Sequence, residues 1–422
     1  MDLIHLRSPA APSPLAHYSQ GVRLGTLVFP AGQIASDYRT GVPPEARADP
    51  AFPYYASTIK RQAAYILKNL SGVLAEAGCG PEHVVKAQVF LRDLGHFQAF
   101  DEVWSAFFPA PPPRTTVQVG PQGLLVPGCE VEIDLIAAQP GPGPVRVLSS
   151  PSAPVPLAAY AQGFRSGAFI FPAGQLASDF RSGVPPEARA DPAFPYYGST
   201  IERQTSYILA NTESVLQEAG AGLEHVVKGQ AFLTDLADFD GFSQVWTERL
   251  PHLPPLTVVP VGGLLVPGCR IEIDVVAVAP DAGVGTRRVA AAGLPEPFPD
   301  GNVAVVADPL VFASGQMAGD YRTGLPAEAG VRPHSPYLGS DIARQTEHVL
   351  SNLARLLEAA GTSLERVVKT QVFLTDLNLF YQFDKVWKRH FPTPPPRTTV
   401  QIAPPSMLLP GCLVLVDAIA AT

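Results

Sequence analysis

The sequence has little of what marks several classes of protein. Only 16% of its 422 residues are charged, the net charge is −8, and no run of Lys or Arg is present. A nucleic-acid-binding surface is therefore not expected, because phosphate binding needs clustered positive charge. No apolar run approaches the roughly 20 residues of a membrane-spanning helix, and the first residues lack the basic and apolar parts of a signal peptide. We expect a cytoplasmic protein that contacts neither nucleic acid nor membrane.

Cysteine is also scarce, with four residues in the chain and no Cys-x-x-Cys pair. Cys129, Cys269 and Cys412 occupy the same Pro-Gly-Cys position in three similar segments, and Cys79 stands alone. Equivalent positions in separate units rarely approach within bonding distance, so we expect reduced thiols, the three matched ones small and buried. The sequence also lacks a glycine-rich phosphate loop, a His-Glu-x-x-His metal motif and a Gly-x-Ser-x-Gly nucleophile motif.

Proline, in contrast, is abundant at 46 residues, and one proline-rich segment recurs three times. Arg114, Leu256 and Arg397 follow the prolines at spacings of 256 − 114 = 142 and 397 − 256 = 141 residues. The first two copies are the more similar, since segments 29–62 and 171–204 differ at five of 34 positions. Units of this length exceed a solenoid repeat and can each bury a core. The sequence therefore predicts three domains, with the bounds 1–144, 145–284 and 285–422.

Hydrophobic periodicity predicts the same α+β unit, ββ-α-β-α-ββ, in each repeat. In repeat 1 the predicted elements are a hairpin over 18–33, a helix from Ser57 to Gly78, a strand over 84–91, a helix from Asp93 to Pro109, and strands over 115–119 and 131–137. Both helices are expected on one face of a mixed sheet, which leaves the other face open. Three copies can cover these open faces by meeting around a pseudo-threefold axis. We therefore expect a monomeric pseudo-trimer.

Polar residues recur on this frame unequally. Prolines stiffen the approach to Arg114 and Arg397, whose planar forks suit a carboxylate, whereas repeat 2 has Leu256. An isolated Arg after prolines is more often a surface or salt-bridge residue, and an isolated Glu in a strand usually faces solvent. The carboxylates Asp134, Asp274 and Asp417 recur in every copy and are expected to be structural, and Asp93, Asp235 and Asp376 to cap helices.

Over nearly its whole length, and once in each of the three repeats, the chain resembles the RidA family, also called YjgF/YER057c/UK114. The motifs that carry the resemblance in repeat 1 are Tyr18-Ser19-Gln20-Gly21, Ala31-Gly32-Gln33, Gln62…Asn69-Leu70, Val84-Val85-Lys86, Leu91-Arg92-Asp93, Pro113-Arg114 and Val131-Glu132-Ile133-Asp134. The resemblance implies three chorismate-mutase-like units with a cleft at each interface. It also implies hydrolytic deamination of reactive 2-enamine or 2-imine acids to 2-keto acids and ammonia. Such imines are already electrophilic, so no metal or organic cofactor is expected.

Carried over residue by residue, the family's carboxylate-binding Arg corresponds to Arg114 and Arg397. The family's Glu on the last strand corresponds to Glu132 and Glu272, and Leu415 replaces it in repeat 3. Repeat 1 alone keeps both residues. The resemblance therefore implies that Arg114 binds the substrate carboxylate while Glu132 handles water and protons, with Arg397 and Glu272 as further substrate-binding residues.

The family's N-terminal Tyr, usually lent by a neighbouring subunit, corresponds to Tyr18 and Tyr160, with Phe298 as the best match in repeat 3. The backbone N–H of Thr116 is expected to add a donor to the substrate. The segment Ser36–Ala56 is longer than the family's usual connection. The tyrosines of these inserts either line a cleft or pack on the following helix: Tyr54, Tyr55, Tyr196, Tyr197 and Tyr337.

Two functions follow from this pattern. The first is a deaminase, or a related hydrolase, acting on a small carboxylate-bearing imine or enamine. The alternative is a non-catalytic small-molecule-binding or scaffold protein with degenerate clefts. Leu256 and Leu415 favour the alternative for two clefts, and the pair Arg114 and Glu132 favours catalysis in one.

Overall fold

The computed structural model describes residues 1–120, 122–139, 145–296, 303–330, 334, 339–403 and 406–422. Each repeat contains a long and a short helix that lie side by side. Their bounds are α1 (Thr58–Ala75) and α2 (Phe97–Phe107) in repeat 1, α3 (Thr200–Gln217) and α4 (Phe239–Arg249) in repeat 2, and α5 (Asp341–Ala360) and α6 (Phe380–His390) in repeat 3.

The strands form one mixed sheet per repeat. Repeat 1 contains β1 (Leu3–Leu6), β2 (Gly21–Leu24), β3 (Leu27–Pro30), β4 (Gln33–Ile34), β5 (Val84–Leu91), β6 (Arg114–Gln118) and β7 (Val131–Ala138). Repeat 2 contains β8 (Arg146–Leu148), β9 (Gly163–Ser166), β10 (Phe169–Pro172), β11 (Gln175–Leu176), β12 (Val226–Leu233), β13 (Leu256–Pro260), β14 (Gly263–Leu264) and β15 (Ile271–Val278). Repeat 3 contains β16 (Thr286–Ala290), β17 (Val303–Ala307), β18 (Leu310–Ala313), β19 (Gln316–Met317), β20 (Val367–Leu374), β21 (Arg397–Gln401) and β22 (Val414–Ala421).

The sheet of repeat 1 has the order β1-β2-β3-β7-β5-β6-β14, with β4 also paired to β7. Only the pairing of β5 with β6 is parallel in this sheet, as are β12 with β13 and β20 with β21 in the others. The short strand β14 belongs to repeat 2 but pairs with β6 of repeat 1. The sheets are therefore joined across a repeat boundary by backbone hydrogen bonds.

Local sequence explains most element bounds. Ser57 caps α1 by accepting from the backbone N–H of Lys60 at 3.5 Å, and the chain leaves the helix before Gly78, whose φ of +70° suits glycine. Asp93 caps a short 3₁₀ turn rather than the second helix itself, which begins at Phe97. The strand β1, which adds an edge to the sheet, has no counterpart in the sequence prediction.

Two apolar clusters hold the units together. One lies between each sheet and its two helices and includes Leu67, Trp104 and Ile133. The other lies between the three sheets, where the rings of Phe169 and Phe312 from different repeats are 5.9 Å apart. The open sheet faces therefore meet one another, as the sequence predicts, because burial of both faces removes apolar surface from water.

A ring of buried polar residues surrounds the centre of this interface. The amide of Gln88 donates to Gln230 at 2.6 Å, Gln230 to Gln371 at 2.8 Å, and Gln371 back to Gln88 at 2.5 Å. Ion pairs run in the same sense between repeats and join Lys86 to Asp274, Lys228 to Asp417, and Lys369 to Asp134. Each repeat thus contacts the next in a closed cycle, and the recurring Asp residues lie in these contacts.

Two further features concern the chain as a whole. Within the described part of the chain, no helix is both long and apolar enough to cross a membrane. All four cysteines are free and buried, and burial raises the pKa of the Cys129 thiol to about 12. Their environment is that of small core residues.

Candidate active sites

Two polar clefts lie at equivalent places of the repeat interfaces. Cleft A lies between repeats 1 and 2, contains Arg114 and Glu272, and has a volume of about 800 Å³. Cleft B lies between repeats 3 and 1, contains Arg397 and Glu132, and has a volume of about 420 Å³. Cleft C is the equivalent place between repeats 2 and 3. In clefts A and B, residues of two repeats together line the wall.

The guanidinium of Arg114 is held in cleft A by a carboxylate and three aromatic rings. Its side chain is 1% exposed, and Nη2 lies 2.7 Å from Oδ1 of Asp101 on α2. The guanidinium carbon lies 5.3, 5.5 and 5.0 Å from the ring centres of Phe97, Phe100 and Trp104. Nη1 is buried and has no hydrogen-bond partner among the described residues. The Nη1 amino group of this fixed cation is therefore left to donate to an anion.

Cleft B repeats this arrangement around Arg397. Nη2 of Arg397 lies 2.9 Å from Oδ1 of Asp384 on α6, and Nη1 is again buried without a partner in the described part of the chain. Phe380, Phe383 and Trp387 surround the guanidinium at 5.3, 5.3 and 5.0 Å. In both clefts burial lowers the pKa of the Arg, and the adjacent Asp opposes that shift. A bound carboxylate would offset the cost of burying the charge.

A buried Glu faces each Arg from the neighbouring repeat. Oε1 of Glu272 accepts from the backbone N–H of Thr116 at 3.4 Å, and Oε1 of Glu132 accepts from Thr399 at 3.4 Å. Burial, reinforced by the adjacent Asp of the same strand, raises the pKa of both carboxyl groups to about 8. Each Glu is therefore mainly protonated at neutral pH and can donate a proton inside the cleft.

Glycine allows these carboxyl groups to lie against the backbone. A Cβ at Gly32 would come within 2.5 Å of Oε1 of Glu132, and one at Gly174 within 2.4 Å of Oε1 of Glu272. Any side chain there would displace the Glu. The Gly of the Ala-Gly-Gln triplet is thus required by the geometry of the acid.

A tyrosine completes each polar cleft from the same repeat as the Glu. Tyr18 lines cleft B, with its ring centre 5.9 Å from the guanidinium carbon of Arg397, and Tyr160 lines cleft A. Burial raises the pKa of Tyr18 to about 12 and that of Tyr160 still further. Both hydroxyl groups therefore remain protonated donors.

Cleft C lacks both charged partners. Leu256 stands at the Arg position, Val258 at the position of Thr116, and Leu415 at the Glu position, and all three are buried. A Cβ at Gly315 would meet Cδ1 of Leu415 at 2.9 Å, so the leucine occupies the place of the acid. This cleft has neither an anion-binding cation nor a buried acid at the equivalent positions.

The three similar units of the chain match one known protein family. The family model described as Endoribonuclease L-PSP matches residues 8–139, 150–279 and 300–422. The chain belongs to the RidA/YjgF/L-PSP family. It contains the family unit three times in tandem, and together with the observed sheets and helices this confirms the predicted α+β fold of three RidA-type units.

Individual relatives match the length of one RidA-type unit. A RutC family protein of Synechocystis is 35% identical over 144 residues, covering 33% of this chain and 99% of the relative. Reactive Intermediate Deaminase A of Arabidopsis thaliana is 32% identical over 128 residues, covering 30% and 61%. Among solved structures, E. coli TdcF with bound serine is 30% identical, with a TM-score of 0.28 and coverage of 32% and 99%.

The RidA-type clefts correct one interpretation of the sequence. Arg114 and Glu132 belong to the same repeat but lie in different clefts, because Glu132 faces Thr399 and Arg397 of repeat 3. Arg114 instead faces Glu272 of repeat 2. The prediction that repeat 1 alone forms the complete pair is therefore wrong, and two clefts contain both an Arg and a Glu. The Thr116 N–H, expected to face the substrate, donates to Glu272.

Sequence reasoning missed the carboxylate that holds each Arg. Asp101 and Asp384 follow the apolar residues of α2 and α6, where they interrupt a stripe assigned to the core. The sequence does contain a signal for this role, because the repeat that lacks the Arg also lacks the Asp. Repeat 2 has Ser243 at the Asp position and Leu256 at the Arg position. Asp therefore occurs only in the repeats that keep the Arg.

The four insert tyrosines named from the sequence and described by the structure do not line the clefts. Tyr54, Tyr55, Tyr196 and Tyr197 are 97%, 88%, 95% and 87% exposed, so neither of the two expected environments is observed for them. Phe298 and Tyr337 lie outside the described residues.

Proposed function

We propose that clefts A and B each hydrolyse the imine form of a 2-imino acid to the keto acid and ammonia. The observation that carries this proposal is a buried cation whose Nη1 has no partner among the described residues, opposite a buried carboxyl group whose pKa burial raises to about 8. The name of the Arabidopsis relative, Reactive Intermediate Deaminase A, supports the same reaction. The net charge of −8 favours a small substrate over a polyanion.

The Arg binds the substrate carboxylate. Nη1 of Arg114 or Arg397 is free to donate a charge-assisted hydrogen bond, and the aromatic cage and Asp101 or Asp384 keep the fork from turning. Such pre-orientation lowers the entropy cost of bringing the substrate beside the acid.

The Glu moves the protons in two steps. In the first, Glu132 or Glu272 protonates the imine nitrogen while water forms a C–O bond at C2, and the resulting carboxylate takes a proton from that water. In the second, the same carboxyl protonates the amine, and the C–N bond breaks with its electron pair leaving on ammonia. The carboxylate then takes the hydroxyl proton as the C=O bond forms. The Glu ends protonated, and a pKa near neutrality suits both directions of transfer.

Enamines enter the same route once C3 is protonated to give the imine. Tyr18 or Tyr160, each a protonated donor in the cleft wall, is placed to hold the added oxygen. Cleft C, with Leu256 and Leu415, takes no part in this chemistry.

The test generates imines in situ with a flavin amino-acid oxidase and traps them with semicarbazide. The wild-type protein should lower the yield of semicarbazone and raise the rate of ammonia release. The matched control is the double variant Arg114→Leu/Arg397→Leu, which copies the natural Leu256 into both polar clefts and should have no effect. Equal semicarbazone yields with wild type and control, across several amino acids, would favour the non-catalytic binding protein instead.

A further inference from the structure

The two polar clefts differ around a shared centre. The helix residue one turn beyond the Asp is Lys388 in cleft B and Ser105 in cleft A. The aromatic residue of the insert turn is Tyr38 in cleft B and Phe180 in cleft A. Lys388 contacts the Asp384 that holds Arg397, and the ring of Tyr38 lies 6.4 Å from that of Tyr18, so both differences border the space beside the Arg and Glu.

We propose that cleft B binds imino acids whose side chain carries a second carboxylate, and that cleft A binds those with longer uncharged side chains. This inference rests on the proposed function and names the substrate class of each cleft. Lys388 and Tyr38 form the subsite for the second carboxylate.

Charge is the first argument. In cleft B, Asp384 is shared by two cations, because Oδ1 pairs with Arg397 and Oδ2 lies 3.3 Å from Nζ of Lys388. With Glu132 protonated, the charged residues described along this cleft sum to +1, from Arg397, Lys388 and Asp384. One carboxylate of a substrate can neutralise Arg397 locally, and a second can attract Lys388. The side chain of Lys388 is 52% exposed, so its ammonium can turn from Asp384 toward a ligand.

Cleft A has Ser105 where cleft B has the second cation, Lys388. Oδ2 of Asp101 accepts from the backbone N–H of Ala159 at 3.3 Å rather than from a second cation. Glu102 also lines this cleft and pairs with Lys60 outside it. Arg114 and Asp101 pair with each other, and the charge of Glu102 is offset by Lys60. A second substrate carboxylate would therefore meet no further cation among the residues that line this cleft.

Backbone geometry is the second argument. Tyr38 and Phe180 have φ values of +57° and +56°, a conformation that bulky residues rarely adopt. Equivalent turns set both, since Ser36 Oγ accepts from the N–H of Tyr38 at 3.0 Å and Ser178 Oγ from that of Phe180 at 3.0 Å. The rings therefore lie in the same place, and the phenol hydroxyl is the difference. Burial and the neighbouring Tyr18 raise the pKa of Tyr38, so its hydroxyl, which interacts with that of Tyr18, remains a protonated donor in the wall of cleft B.

Size is the third argument. Tyr381 and Lys388 project from α6 into the lining of cleft B, where cleft A has the shorter Gln98 and Ser105. The cavity volumes agree with this difference in side-chain length, since cleft B measures about 420 Å³ and cleft A about 800 Å³. Apolar residues such as Leu176, Leu265 and Val266 line the larger cleft. It therefore suits a long uncharged chain.

The experiment uses full-length variants that keep one polar cleft each. Arg114→Leu keeps cleft B and Arg397→Leu keeps cleft A. Isothermal titration of each with 2-oxoglutarate and with 4-methyl-2-oxopentanoate, which are stable product acids, gives a selectivity ratio per cleft. We expect the dicarboxylic acid to be favoured about tenfold more strongly in the cleft B protein, the scale of one partly exposed charge-assisted hydrogen bond.

Reciprocal substitutions assign the effect to Lys388. In the Arg114→Leu background, Lys388→Ser should weaken 2-oxoglutarate binding about tenfold and change binding of the monocarboxylic acid little. In the Arg397→Leu background, Ser105→Lys should strengthen 2-oxoglutarate binding.

Equal selectivity ratios for the two single-cleft proteins, no change with Lys388→Ser, or no binding of either acid by the wild type would overturn this inference. Binding does not need turnover, so the two proposals can be separated. Unequal ratios without ammonia release would sustain the specificity and refute the deaminase.

Discussion

The pairing of Arg and Glu across repeats can be tested with two double variants. Arg114→Leu/Glu272→Gln removes both polar residues from cleft A and leaves cleft B intact. Arg114→Leu/Glu132→Gln removes one residue from each cleft, so neither retains an Arg and a Glu. The two proteins carry the same types of substitution, and each is the control for the other.

The magnitude follows from the contacts. Losing a hydrogen bond to a charged group costs about 1.5–3 kcal/mol, or about 10- to 150-fold in kcat/KM. Losing a general acid costs about 10²- to 10⁴-fold. With 2-iminopropanoate, which is small enough for both clefts, Arg114→Leu/Glu272→Gln should keep about half of the wild-type rate, and Arg114→Leu/Glu132→Gln about a hundredth.

The activity of each double variant is measured as its rate of ammonia release under single-turnover conditions. Circular dichroism checks that both variants are folded. Leu is chosen because Leu256 occupies this position in repeat 2 beside the same type of aromatic cage, Phe242 and Trp246. Adding Asp101→Ser, which copies Ser243, removes the carboxylate left without its partner. The reasoning is refuted if the order is reversed, with the Glu132 double variant active and the Glu272 double variant inactive.

Three further predictions concern the whole molecule. The pKa of Glu132 and Glu272 rises from 4.5 to about 8 on folding, so the folded state holds protons that the unfolded state has released, and stability should fall as pH rises from about 5 to 8. Denaturant titrations at pH 5.5 and 8.5 measure this loss of unfolding free energy, which is on the order of 4 kcal/mol per site at most. The variant Glu132→Gln/Glu272→Gln should lose less unfolding free energy between the two pH values than the wild type, and an equal loss would contradict the assignment. Lys228→Met leaves Asp417 buried without its cation and should cost about 3–5 kcal/mol of unfolding free energy, part of which Lys228→Met/Asp417→Asn should recover if the ion pair is the cause. Light scattering should give the mass of one chain, 44.8 kDa, because the three repeats already cover one another's open faces, whereas a particle of three chains would show that they do not.

Sequence reasoning reached the unit and its elements because their signals are local. Spacing identified three copies, and apolar periodicity located α1 and β5 within a few residues, since both patterns repeat within one element. The Arg and Glu positions could be named for the same reason. The edge strand β1 could not be predicted, because its four residues are too few to show the alternation typical of a strand.

Tertiary structure decided which of these residues meet. Along β7, residues alternate between the helix face and the open face, so Glu132 points away from the core of its own repeat. Another repeat covers that face, and nothing in the periodicity of one unit states which neighbour it is. The cyclic order set by the Gln88, Gln230 and Gln371 contacts brings Glu132 to Arg397 and Glu272 to Arg114. The sequence by itself therefore determined the chemical groups and the fold of each unit, and the packing of three sheets around one axis determined the two complete clefts.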